Sequence, residues 1–165
     1  MKNLDYNELE NILTLIQANP STTIGLFTNK DKELIEFLYR LSQNKEVDFI
    51  ANITDKTFYE QLEDKTYCKY FALKRANYMI NGKFYDYLFV HLDLDEEFKE
   101  EFFKRVHKVI KNAGLILIFA PKNDYATLDK YYQILEEHYY VATNKIDIDN
   151  NYTLIVSRKM HGWGG

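Results

Sequence analysis

The sequence predicts a three-layer α/β fold: a doubly wound, mostly parallel sheet with helices on both faces and a C-terminal antiparallel hairpin. Three observations lead there. Strand-like and helix-like segments alternate from Thr23 onward, the pattern of a parallel sheet with right-handed crossovers. Two segments, "YDYLFVHLDL" (85–94) and "LILIFAPK" (115–122), are almost continuously apolar, as strands covered on both faces are. The chain closes with "YYVATNKIDID", "NN" and "YTLIVSRKM". This reads as two strands joined at Asn150-Asn151, a pair suited to a type I′ turn.

The elements follow in order. Leu9, Ile12, Leu13 and Ile16 fall on one helical face, so a first helix is expected over Tyr6–Ala18, with Asp5 and Glu8 opening it and Pro20 beyond its end. A strand over Thr23–Thr28 leads into a helix over Lys32–Gln43, with Leu34, Ile35, Leu38 and Leu41 inward. A strand is expected over Val47–Thr54, a weaker helix over Thr57–Leu62 and a strand over Tyr67–Leu73. Asn81-Gly82 marks a turn before the 85–94 strand. A long helix is expected from Asp95 to Lys111, carrying Phe98, Phe102, Val106 and Val109/Ile110 on one stripe, with Gly114 as its C-terminal stop. A last helix spans Thr127–Glu137.

The 165 residues suit one domain, with residues 1–20 as an N-terminal helical segment and 160–165 as a tail. Hydrophobic residues make up 46% and charged residues 28%, the balance of a folded globule. A net charge of −4 argues against a dedicated nucleic-acid binder. The run "KTYCKYFALKRANYMINGKFYDY" does interleave cations with aromatic rings. A strand with a solvated basic face explains it as simply. Cys68 is the one cysteine, so neither a disulfide nor a cysteine-based zinc cluster can form within the chain, which fits a cytoplasmic setting. The opening segment does not read as a signal peptide, no apolar run approaches spanning length, and no metal site is expected. "DIDNN" lacks the central glycine and final glutamate of a calcium loop. With 14 Tyr and 11 Phe the chain is rich in aromatic residues, and a homodimer or protein partner held by an aromatic surface or by the Trp163 tail, "KMHGWGG", is one expectation.

Three stretches resemble the class I S-adenosylmethionine-dependent methyltransferase superfamily. "YDYLFVHLDL" is similar to its fourth strand, which commonly begins with an aromatic-Asp pair. "FFKRVHKVIKNAGLILIFAPK" is similar to the helix, turn and fifth strand that follow. "YYVATNKIDIDNNYTLIVSRKM" is similar to its terminal antiparallel hairpin. The resemblance spans about Thr23 to Met160. It implies a site beyond the carboxyl ends of the strands, where the strand order reverses.

That resemblance assigns positions residue by residue. Asp55, past the second strand, would bond the ribose hydroxyls, and the Thr28–Asn29 backbone would hold the cofactor. Asn77 would lie near the adenine, and His91 and Asp93 near the transferred methyl group. Each has a structural alternative: Asp55 as a helix cap, Asn77 as a turn residue, and Asp93 with Asp95 as the acidic start of a helix. The first strand departs from the pattern. The family's acidic position falls on Gly25, and its glycine positions fall on Phe27, Asn29 and Asp31. Phe27 would fill the space of the cofactor's methionine part, and Asn29 is the best non-glycine residue for a left-handed conformation. The N-terminal helix is the one segment left to build a substrate lid.

Two functions from different classes follow. In one, the protein is a methyltransferase-like module whose cofactor loop has degenerated and which works through protein contacts. In the other, it is a small active S-adenosylmethionine-dependent methyltransferase with a divergent loop. Asp93 and Lys122 also resemble the phosphoacceptor pair of response-regulator receivers. The first strand lacks the paired acids that magnesium needs there, and the chain has one strand too many.

Overall fold

The computed structural model describes residues 3–14, 16–79 and 84–160. The Asn81-Gly82 turn and the Trp163 tail lie outside the described residues. Seven strands form one sheet: β1 (Thr23–Thr28), β2 (Asp48–Ile53), β3 (Cys68–Tyr70), β4 (Tyr85–His91), β5 (Ile110–Pro121), β6 (Tyr140–Asp147) and β7 (Tyr152–Lys159). Their order is β3-β2-β1-β4-β5-β7-β6. The first five run parallel, and β7 lies antiparallel between β5 and β6. The order reverses between β1 and β4, so a crevice opens above their carboxyl ends.

The helices are α1 (Tyr6–Leu13), α2 (Lys32–Lys45), α3 (Lys56–Gln61), α4 (Glu96–Val106) and α5 (Tyr125–Glu137). Alternation along each strand sends side chains to opposite faces. Ile24, Leu26, Ala51, Ile53, Phe89, Phe119 and Leu154 pack with Leu9 and Leu13 of α1 and Leu34, Ile35 and Leu38 of α2. On the other face, Phe27, Leu88, Val90, Ile116, Ile118 and Ile155 pack with Phe102, Phe103 and Val106 of α4 and Leu128, Tyr131, Ile134 and Leu135 of α5. The predicted three layers are therefore present.

Three expectations are corrected. The first helix is shorter than predicted, and it lies along the sheet face as part of the core rather than as a lid. Gln17 beyond it donates its amide to the Tyr87 hydroxyl at 3.2 Å and accepts that hydroxyl's proton at 3.0 Å. The long helix ends at Val106, passes through a 3-10 turn at His107–Val109 and becomes strand at Ile110. The apolar stripe did not stop there, but the β-branched Val109 and Ile110 are buried at the end of the turn and the start of the strand. The ammonium of the fully buried Lys159 donates to the carbonyls of His107 at 2.7 Å and Ile110 at 3.1 Å, closing the turn. Gly114 is thus no helix stop. It sits in a bulge where the register jumps between Tyr85–Ile110 and Tyr87–Leu115, next to Ala113 at φ 64°.

The hairpin forms, but not through a type I′ turn at Asn150-Asn151. Neither residue is among those with positive φ. Instead the Asp149 carboxylate accepts from the amides of Asn151 at 2.7 Å and Tyr152 at 2.8 Å. An Asx turn of this kind replaces the left-handed pair. Beyond it, the β6–β7 register slips between Val141 and Asn144, with Ala142 at φ 53°.

Gly25 explains how β4 is seated on β1. A Cβ on Gly25 would stand 2.5 Å from Cδ1 and Cε1 of Tyr85. The ring is buried, and its hydroxyl accepts from Asn52 Nδ2 at 3.0 Å, so it cannot swing away. Gly25→Ala is expected to lower stability by about 1–3 kcal/mol through overpacking. The double variant with Tyr85→Ala should lose less than the sum of the two single losses. Urea unfolding of the four proteins measures this. Lys159→Met, which strands two carbonyls, should cost about 1–3 kcal/mol in the same assay.

Candidate functional site

The crevice between β1 and β4 is laced by short side chains. Thr28 is buried at the end of β1, and its carbonyl accepts from the Thr54 amide at 3.0 Å. Asn29 reaches both neighbours. Its Nδ2 donates to Thr54 Oγ1 at 3.0 Å beyond β2, and its Oδ1 accepts from the Asp93 amide at 2.8 Å beyond β4. Its carbonyl accepts from the Asp55 amide at 3.3 Å. Asn29 is not among the residues with positive φ, so the left-handed conformation considered for it is not adopted.

Asp31 has two tasks. Oδ1 accepts from the Leu34 amide at 3.1 Å and caps α2, while Oδ2 lies 3.1 Å from Nδ1 of His91. Burial pushes the Asp31 carboxyl up, but the hydrogen bonds from His91 and the Leu34 amide outweigh it and hold the group below its ordinary 3.8. The His91 ring is 3% exposed and packs against Phe119 and edge-on to Tyr152. Its Nε2 is buried without a hydrogen-bond partner among the described residues.

The aromatic side chain at the first glycine position is part of the core. Phe27 is 1% exposed and lies 4.9 Å from Phe71, 6.1 Å from Tyr78 and 5.6 Å from Phe102, measured between ring centres. Tyr78 donates its hydroxyl to the Leu73 carbonyl, which fixes the loop after β3 over these rings. Burial pushes the Tyr78 phenol well above its ordinary range.

The structure brings Thr28, Asn29, Asp55, His91 and Asp93 to one edge of the sheet and leaves Asn77 aside. Asp55 Oδ1 accepts from the Phe58 amide at 2.9 Å, so the capping alternative is realised. Asn77 is exposed, and its Oδ1 accepts from the Met79 amide at 2.9 Å in a turn. The Asp93 side chain is exposed and takes no part in capping α4. Sequence reading missed the partnership of Asp31 with His91. The two lie 60 positions apart, and only the strand order places them together.

A cleft of about 470 Å³ opens above β4 and β5, with His91, Asp93, Lys99, Phe119, Lys122 and Tyr152 among its walls. Glu100, Glu137 and His138 form the one group of potential metal ligands among the described residues. The two acids are exposed, and hydrogen bonds within the group and from Gln133 already account for it. Among the described residues no helix is long and apolar enough to cross a membrane.

Solved structures place this architecture. An S-adenosylmethionine-dependent methyltransferase from Archaeoglobus fulgidus superposes with a TM-score of 0.70 at 12% identity, covering 93% of this chain and 92% of that one. A methyltransferase from Pyrococcus furiosus gives 0.68 at 11%, covering 94% and 83%. An S-adenosylmethionine-dependent O-methyltransferase from Thermotoga maritima gives 0.69 at 11%, covering 96% and 67%. No protein-family model matches the chain, and no curated protein does. The chain therefore has the class I S-adenosylmethionine-dependent methyltransferase fold, as the resemblance implied. At these identities the likeness is one of fold.

The Asp31–His91 contact carries a pH signature. Asp31→Asn keeps a good N-cap residue but removes the charge facing His91, and should cost about 1–2 kcal/mol at neutral pH. A depressed carboxyl stabilises the native state above its unfolded pKa, and the benefit is lost as pH falls through the lower native value. The gap between wild type and Asp31→Asn should thus be full at neutral pH and close below the ordinary 3.8 of the carboxyl. Urea titrations over a pH series check this.

Proposed function

We propose that this protein is a methyltransferase-fold module whose cofactor loop has become a structural clasp, and that it works by contact with other molecules rather than by methyl transfer. The observation that carries this reading is Phe27. At the first glycine position of the family pattern, a ring that is 1% exposed is closed in by Phe71, Tyr78 and Phe102. Glycine serves at such loops because backbone must approach the ligand. Here the corresponding positions carry side chains the fold already engages: Phe27 packs among aromatic rings, Asn29 bonds Thr54 and the Asp93 amide, and Asp31 bonds the Leu34 amide and His91.

The remaining loop groups support the same reading. Asn29 has both ends of its amide engaged, Asp31 caps a helix and holds His91, and Asp55 caps α3. Using Asn29 for a nucleoside would break a bond the fold already makes, and both oxygens of Asp31 are engaged. At the family's acidic position stands Gly25, covered by the Tyr85 ring. Protein contact is the mode that exposed tyrosines suit, and three stand at separate places on the molecule: Tyr70 on the edge strand β3, Tyr125 at the start of α5 and Tyr139 before β6 are 39%, 66% and 53% exposed. Tyr is effective at interfaces because it covers apolar area and keeps a polar tip. A second copy of the chain or a protein partner is the expected occupant.

Calorimetric titration with S-adenosylmethionine and S-adenosylhomocysteine tests the proposal. The expected result is no binding heat at millimolar ligand. Micromolar binding that Asp55→Ala abolishes would overturn it and establish a working cofactor site with a divergent loop.

A further inference from the structure

A further pocket lies away from the carboxyl-end crevice, on the face of the sheet that α4 covers. Of its lining, Phe84, Tyr85 and Val109 stand at the amino ends of β4 and β5, and Ile50 and Asn52 come from β2. Lys69 and Tyr70 bound it on the side of the edge strand β3. Its volume is about 80 Å³. One water needs about 10–15 Å³ of such space, so the pocket has room for about five to eight water-sized groups. That suits one substituted ring and is too little for a nucleoside.

The walls are mostly rings. Phe71 and Tyr78 meet edge to face with ring centres 4.7 Å apart, and Phe84 and Tyr85 do so at 5.5 Å. Small-molecule sites have this character, an apolar surface with a few placed polar groups. No Asp or Glu is in the lining, but two cations are, Lys69 and Arg75. Both are exposed, and neither has an ion-pair partner among the described residues. The Arg75 guanidinium stands 5.1 Å over the Phe71 ring. That contact holds it beside the apolar walls, and a guanidinium takes a carboxylate through two parallel bonds. Asn52 is 3% exposed and spends both hydrogens of its side-chain nitrogen, on the Leu26 carbonyl at 3.2 Å and the Tyr85 hydroxyl at 3.0 Å. What it keeps is an acceptor oxygen, which repels a carboxylate. The charge of an incoming anion therefore belongs at the exposed cations, with its apolar part turned inward.

We propose that this pocket binds a small carboxylate carried on a single aromatic ring, with the ring among Phe71, Tyr78 and Phe84 and the carboxylate at Lys69 and Arg75. The inference goes beyond the reading of the cofactor loop. It concerns another part of the sheet and stands whether or not S-adenosylmethionine binds.

The experiment is a titration of the full chain followed by amide proton–nitrogen NMR correlation spectra. The probes are benzoate and phenylacetate. Acetate supplies the charge without the ring, benzyl alcohol the ring without the charge, and benzylamine the ring with the opposite charge. The expected result is a saturable shift at the amides of Lys69, Phe71 and Arg75 with at least one ring acid, about tenfold or more tighter than with any control. The double variant Lys69→Met/Arg75→Met should weaken that binding by about tenfold or more. Both side chains are exposed, so the variant keeps the fold, and an unchanged spectrum away from β3 verifies it. No saturable shift with either ring acid overturns the proposal. Benzyl alcohol or benzylamine binding as tightly overturns it by showing an apolar hollow alone, and acetate binding as tightly does so by showing surface charge alone. Full affinity in the double variant overturns it as well. So do shifts confined to Thr28, Asn29 and His91, which would seat the ring acid at the carboxyl-end crevice. Displacement of the ring acid by S-adenosylhomocysteine also overturns it, because the pocket would then belong to a nucleoside site.

Discussion

The Tyr85 ring lying flat on Gly25 is the contact around which the central strands are arranged. It joins β4 to β1 at the reversal of the sheet, and the bond from Asn52 to its hydroxyl extends the tie to β2. Asn52 also donates to the Leu26 carbonyl at 3.2 Å, so a buried amide is satisfied by the same arrangement. An acidic side chain at position 25 would displace the ring and open the layer beneath it. A side chain at position 25 and the Tyr85 ring compete for the same space. From Tyr85 the aromatic packing continues through Phe27 to Phe71, Tyr78 and Phe102, and the loop above has no glycine to bring its backbone toward a ligand.

Polar groups at the strand ends obey the same logic. In a ligand-holding crevice the donors and acceptors point outward and wait. Here Thr28, Asn29, Thr54 and the Asp93 amide bond to one another and stitch the ends of β1, β2 and β4. Buried polar networks that are fully satisfied rigidify what they join. His91 is the exception, with one nitrogen bound and the other not, and it lies at the margin of this network beside the open cleft.

Much of the fold was legible in the sequence. The 23–28 strand, the helix after it and the apolar runs at 85–94 and 115–122 each matched one period over enough residues to be placed. The terminal hairpin was visible for the same reason. What could not be read was decided by contacts distant in sequence. The helix expected to continue to Lys111 gives way after Val106 to a turn whose His107 and Ile110 carbonyls accept from Lys159, some fifty positions later. The Asn150-Asn151 pair suggested a tight turn, but Asp149 offered its amides a better acceptor. At the site, the six residues marked by resemblance separated into five at the carboxyl ends of the central strands and Asn77 in a turn of its own. Asp31 caps α2, and its second partner, His91, could not be seen until the strand order was known.

The slip in the outer hairpin bears on how this protein behaves in a crowded solution. β6 is an edge of the sheet and, at Tyr140–Asp147, far longer than the three-residue β3 at the opposite edge. A long flat edge offers a row of unpaired amides to any other extended chain. With Ala142 in a left-handed conformation and the register broken between Val141 and Asn144, that row is bent out of line, and Asn144, Lys145 and Asp147 add exposed polar side chains along it. Bulges at sheet margins increase local twist and interrupt pairing. The edge is thereby made a poor template for an eighth strand.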